Sequence, residues 1–147
     1  METKAYTTIK EKVSAYLVKT SPTTSVIRKP GNRTQERYEE NLTITFNEII
    51  HFKKDYQMAL GFIGIAFKLP RTIRFTAELF FLRSKCYLAL GDYRNACRSV
   101  NSCVDFNGRD TTTTSERTEL IRELREIALE GVKIQNLSLV KDCFTFS

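Results

Sequence analysis

A 37-residue self-match in the middle of the chain constrains the fold more than any other feature. Asp55 and Asp92, Tyr56 and Tyr93, Ala59 and Ala96, and Ala66 and Cys103 all stand 37 positions apart. A fixed period of this length marks stacked copies of one supersecondary unit, because each copy buries its apolar face only against its neighbours. Each copy reads Asp-Tyr-X-X-Ala, with a second small residue seven positions after the alanine. Small residues one or two turns apart on a helix let a neighbouring helix approach closely, and the aromatic beside the turn fills the space between them.

Apolar spacing supplies the helices around this repeat. Ile9, Val13, Tyr16 and Leu17 fall at helical intervals, which predicts an N-terminal helix within residues 1–18. Residues 19–34, KTSPTTSVIRKPGNRT, combine two prolines, a glycine and many small polar side chains, and read as a linker. A helical domain over 35–135 follows, with helices at 35–52, 55–70, 74–90 and 92–106 forming two antiparallel hairpins. Gly91 is expected to adopt the left-handed conformation that closes a helix, and Asp92 to cap the next one. Gly61 and Gly64 are expected at a close helix contact. An amphipathic helix over 115–131 carries Leu120, Ile121, Leu124, Ile127 and Ala128 on one face and caps the stack. Thr113 with Glu116, or Ser115, is expected to close its N-terminus. Residues 136–147 show no clear period and read as a tail packed on that helix. The fold class is all-α: antiparallel helical hairpins stacked as a short solenoid with flanking N- and C-terminal helices.

Residues 77–108, AELFFLRSKCYLALGDYRNACRSVNSCVDFNG, resemble a tetratricopeptide repeat. Phe80, Ser84, Tyr87, Leu90, Gly91, Tyr93, Ala96, Val100 and Cys103 fall on the motif's positions. The preceding unit, about residues 40–70, is similar in its second helix and closes with the motif's usual proline at Pro70. Its period of 37 exceeds the family's usual spacing of about 34, with the extra residues in the connection from Pro70 to Arg74. The resemblance implies that the first helix of each hairpin lines a concave groove that accepts an extended peptide or a helix. On that implication Asn47, His51, Phe81, Lys85 and Leu88 line the groove, while Tyr56, Ala59, Ala66, Gly91, Tyr93, Ala96 and Cys103 are structural repeat positions. One subset of the family binds acidic chaperone C-termini through a clamp of Lys, Asn and Arg. Here Asn47 stands at the clamp's first asparagine and Arg83 and Lys85 add positive charge, but Leu82 occupies the place of the second asparagine. The implied function is a protein–protein interaction module, adaptor or co-chaperone-like, whose partner is another protein, a chaperone or an acidic segment.

The residues themselves argue against most other chemistry. Cys86, Cys97, Cys103 and Cys143 include no Cys-X-X-Cys pair, and His51 is the only histidine, so neither a metal nor another cofactor is expected. The cysteines are expected to be reduced and to serve as small side chains on helix faces. A Ser-His-Asp or Cys-His site would have to use His51, inside a helix, and no Gly-rich phosphate loop is present; no enzyme is expected. The net charge of +6 comes from dispersed lysines and arginines rather than a block, which argues against nucleic acid. No run reaches the length of a membrane helix, the nearest, MALGFIGIAFKLP, being cut by Lys68 and Pro70; no membrane partner and a cytoplasmic location are expected. Two alternatives stay open: an accessory helical segment related to a larger enzyme family, such as the methyltransferases that carry tetratricopeptide repeats, and a basic nucleic-acid-associated helical protein.

Overall fold

The computed structural model describes the backbone of residues 4–22 and 34–145, and side chains as far as residue 137. Among these residues the fold is all-α. Helix α1 spans Lys4–Lys19, α2 Thr34–Glu48, α3 Tyr56–Ala66, α4 Ile73–Ala89, α5 Tyr93–Arg109 and α6 Ser115–Thr145, with a π-helical turn over Ile49–Lys53 continuing α2. Of the expected linker, residues 23–33 lie outside the described residues.

The two Asp-Tyr corners are built alike. Asp55 accepts a hydrogen bond from the Met58 amide at 3.1 Å and Asp92 one from the Asn95 amide at 3.3 Å, each satisfying an orphan donor of the first helical turn. Just before Asp92, Gly91 takes φ +75°, the left-handed region that a side chain disfavours. The other corner has no glycine, and Lys54 adopts φ 53° instead. The start of α4 is held from outside: Thr72 caps Phe75, and the buried Glu39 of α2 accepts from both the Thr72 amide, at 2.9 Å, and its hydroxyl, at 2.7 Å. This carboxylate ties α2 to the entry of α4.

Helix α4 divides the core. Its Phe75, Leu79, Leu82 and Cys86 pack with Phe46, Ile49 and Ile50 and with Ala59, Ile63 and Ala66 of α3. From α4 as well, Phe81 and Leu88 pack with Tyr93, Ala96, Val100 and Cys103 of α5, Ile121, Leu124, Ile127 and Ala128 of α6, and Ile9, Val13 and Tyr16 of α1. The small residues of the second repeat sit at the α4–α5 contact, where the Ser84 hydroxyl donates to the Ala96 carbonyl at 2.9 Å and the Cys103 thiol to that of Ala77 at 3.4 Å. Cys86, Cys97 and Cys103 are free thiols.

Three local expectations differ from the structure. The C-terminal helix does not stop near 131 but runs to Thr145, through the stretch expected to be a tail. Gly131 lies inside that helix because the Tyr93 ring occupies the space a side chain would need: a Cβ there would meet Cγ, Cδ1 and Cδ2 of Tyr93. Gly61 and Gly64 make no close helix contact; both lie on the exposed side of α3 with open space around them. The cap of α6 is Thr114, whose hydroxyl accepts from the Arg117 amide at 3.1 Å, rather than Thr113 or Ser115.

Candidate functional site

Helix α1 lies over the surface that α4 and α6 form together. Its Ile9, Val13 and Tyr16 are spaced four and three residues apart, so they project as one stripe into the shared core. The Tyr16 hydroxyl donates to the Leu120 carbonyl at 2.6 Å, and burial raises its pKa well above the ordinary phenol value. Lys12 pairs with Glu130 at 2.9 Å and Lys19 with Glu123 at 2.8 Å. As the lysine number rises the glutamate number falls, so α1 runs antiparallel to α6. Exposed pairs of this kind contribute at most about 1 kcal/mol each. They set register, and the apolar stripe supplies most of the attachment.

Three of the five expected groove residues are gathered here, and all three are covered. Phe81, Lys85 and Leu88 are 2 %, 1 % and 1 % exposed. Phe81 and Leu88 share one core cluster with the α1 stripe. Arg117 of α6, which no sequence motif placed, pairs with Glu78 and sets its guanidinium 3.9 Å from the Phe81 ring centroid. Asn47 is directed elsewhere: its amide donates to the Thr43 carbonyl within α2 at 3.0 Å. Arg83 is apart from Lys85 as well, its guanidinium lying between the rings of Phe67 and Tyr87. Leu82 faces the α3 side of the core.

Lys85 is the electrostatic centre of this surface. Its ammonium is 3.5 Å from the carbonyl oxygen of Thr20, at the C-terminal end of α1, and 5.1 Å from the Phe81 ring centroid. A lysine offers three donors, and one long contact to a carbonyl leaves the charge poorly compensated. Burial pushes its pKa down to about 7. The same burial, with the Lys85 charge added, pushes His51 down to about 4, and His51 Nε2 is buried without a hydrogen-bond partner among the described residues. Beside them, burial pushes the Cys86 thiol up to about 12 against the pull of Lys85. A thiol so protonated is a poor nucleophile, and a histidine so depressed is a poor proton acceptor at neutral pH.

Residues of four elements thus converge on one helix-sized surface: Phe81, Lys85 and Leu88 from α4, Arg117, Glu123 and Glu130 from α6, Tyr93 from α5, and the occupying α1. Sequence reasoning placed the N-terminal helix but not its seat. The available signal is charge spacing, since Lys12 and Lys19 are seven apart and so are Glu123 and Glu130. Heptad-spaced opposite charges of this kind mark two helices meeting edge to edge. No protein-family model, curated protein or solved structure matches the chain.

Proposed function

We propose that this chain is a non-enzymatic, tetratricopeptide-like protein-interaction module whose binding surface is the α4–α6 groove, and that α1 is the groove's resident ligand. A partner's amphipathic helix binds by taking α1's place. The observation that carries this reading is the burial of Phe81, Lys85 and Leu88 beneath a helix of the same chain. A surface that accepts one amphipathic helix through an apolar stripe and two rim pairs is suited to accept another with the same pattern. Occupancy by a helix favours a helical partner over the extended acidic peptide of a co-chaperone clamp.

A fluorescently labelled peptide of residues 4–22, titrated against the full chain, tests the proposal. Saturable binding is expected, and tighter binding to the K12E/K19E chain, in which the resident helix is repelled by Glu130 and Glu123. Both lysines are exposed, so these changes leave the core intact. No binding to either chain at about 100 μM, a range that corresponds to roughly −5 kcal/mol, overturns the reading.

A further inference from the structure

On the far side of α4 from the groove, helix α3 leaves a second surface uncovered. Its inner face, Ala59, Ile63 and Ala66, is buried. Outward, Met58, Phe62 and Ile65 of α3 and Leu69 in the turn after it recur at four, three and four residues and are 46 %, 47 %, 56 % and 38 % exposed. Phe52 precedes this stripe and Ile73 follows it, both about half exposed. A contiguous apolar surface of this kind on a folded chain marks an interaction site.

Charge identifies what it fits. Between residues 52 and 74 the chain carries Lys53, Lys54, Lys68, Arg71 and Arg74 against a single acid, Asp55. None of the five has a carboxylate partner among the described residues, whereas on the other side of α4 Lys12, Lys19 and Arg117 all do. Asp55 accepts from its own helix's Met58 amide. The stripe is self-complementary in one respect: with two α3 helices antiparallel, Phe62 would meet Ile65 of the other copy, and Met58 would meet Leu69 in the turn after the other copy's helix. Such a pairing brings together two sets of five cations without carboxylate partners, Arg71 being held by the Phe67 and Leu69 carbonyls, and like charges facing each other oppose it. A plane of negative charge over an apolar layer satisfies both features at once, since apolar side chains enter the acyl boundary while lysines and arginines reach headgroups.

We propose that the outer face of α3 is a docking surface for anionic lipid bilayers. Met58, Phe62, Ile65 and Leu69 insert at the interface, and Lys53, Lys54, Lys68, Arg71 and Arg74 contact acidic headgroups. The helix lies on the surface; among the described residues no helix is long and apolar enough to cross a membrane. This site is separate from the α4–α6 groove and neither depends on the other.

Cosedimentation of the full chain with phosphatidylserine–phosphatidylcholine vesicles, compared with phosphatidylcholine alone, tests the assignment. Binding at least ~10-fold stronger to the anionic vesicles is expected, falling steeply in high salt. The F62S/I65S chain, altered only at exposed positions, is expected to keep its helical circular dichroism and lose about 10-fold in vesicle binding. The K68E/R71E chain is expected to lose the preference for anionic lipid. No binding to the anionic vesicles, or equal binding by the F62S/I65S chain, overturns the proposal. So does a wild-type dimer in solution that F62S/I65S converts to monomer, which would assign the face to a second copy.

Discussion

Replacing Gly131 with alanine sets two opposite expectations against each other. Within a helix, alanine is favoured over glycine by about 1 kcal/mol, and on propensity alone the change stabilises α6. The structure reverses the sign. A methyl built at 131 meets three atoms of the Tyr93 ring, with Cδ2 at 2.7 Å, inside any real carbon–carbon contact. These are the atoms nearest the Tyr93 backbone, and the side chain is 2 % exposed, so the ring has little room to swing away. Relief requires α5 and α6 to separate, and overpacking of this kind costs roughly 1–3 kcal/mol. Less the propensity gain, the net expectation is destabilisation by about 0–2 kcal/mol, centred near 1, which is a fall in Tm of about 2–4 °C at the centre of that range. Gly61→Ala is the control: it sits in a helix interior with nothing near its missing side chain and is expected to raise stability by about 0.5–1 kcal/mol. Thermal melts followed by circular dichroism, with denaturant titration, read both. A Gly131→Ala chain that melts above the wild type would refute the packing of Tyr93 on α6.

Other changes probe the polar contacts. Lys85→Met keeps the side chain's length and removes the buried charge, so it is expected to raise stability at neutral pH by up to a few kcal/mol in chemical denaturation. Because the folded pKa of Lys85 is near 7 and its ordinary value 10.5, the unfolded chain binds more protons between these values; wild-type stability rises with pH across that window, and Lys85→Met flattens the rise. His51 has the same sign at lower pH: its folded pKa is near 4 and its ordinary value 6.5, so its contribution is lost as pH falls through that interval, which an acid titration of the His51→Gln chain would isolate. Glu39→Ala leaves the half-buried Thr72 amide and hydroxyl without their acceptor and is expected to cost about 1–3 kcal/mol in the same unfolding assay.

The repeat was legible because it rests on steric requirements that single residues reveal. Gly91, Asp92 and Asp55 specify corners that few other residues build, and Ala59, Ala96 and Cys103 stand where helices touch. The extent of α6 was not legible, because Gly131 signals a helix end unless Tyr93, 38 positions earlier, is known to lie against it. The exposed placement of Gly61 and Gly64 was hidden for a related reason: α3 is apolar on all sides, so periodicity does not tell its inner face from its outer one. Phe81, Lys85 and Leu88 were grouped on one helix face, but whether that face is open or covered depends on a long-range contact with α1, which local pattern does not encode. Length and hydropathy decided only that MALGFIGIAFKLP is too short to cross a bilayer. What its outer half presents to solvent emerges from packing.

Amide hydrogen exchange on the full chain tests the central claim most directly, when it is followed as unlabelled peptide 4–22 is added. The account predicts that the chain's own α1 amides are protected in the free protein and lose protection as the peptide saturates. Meanwhile α6 over residues 115–137 stays protected, because an equivalent helix now covers it. Unprotected α1 amides in the free chain, or α1 protection that persists at saturating peptide, would contradict a groove occupied by an exchangeable resident helix.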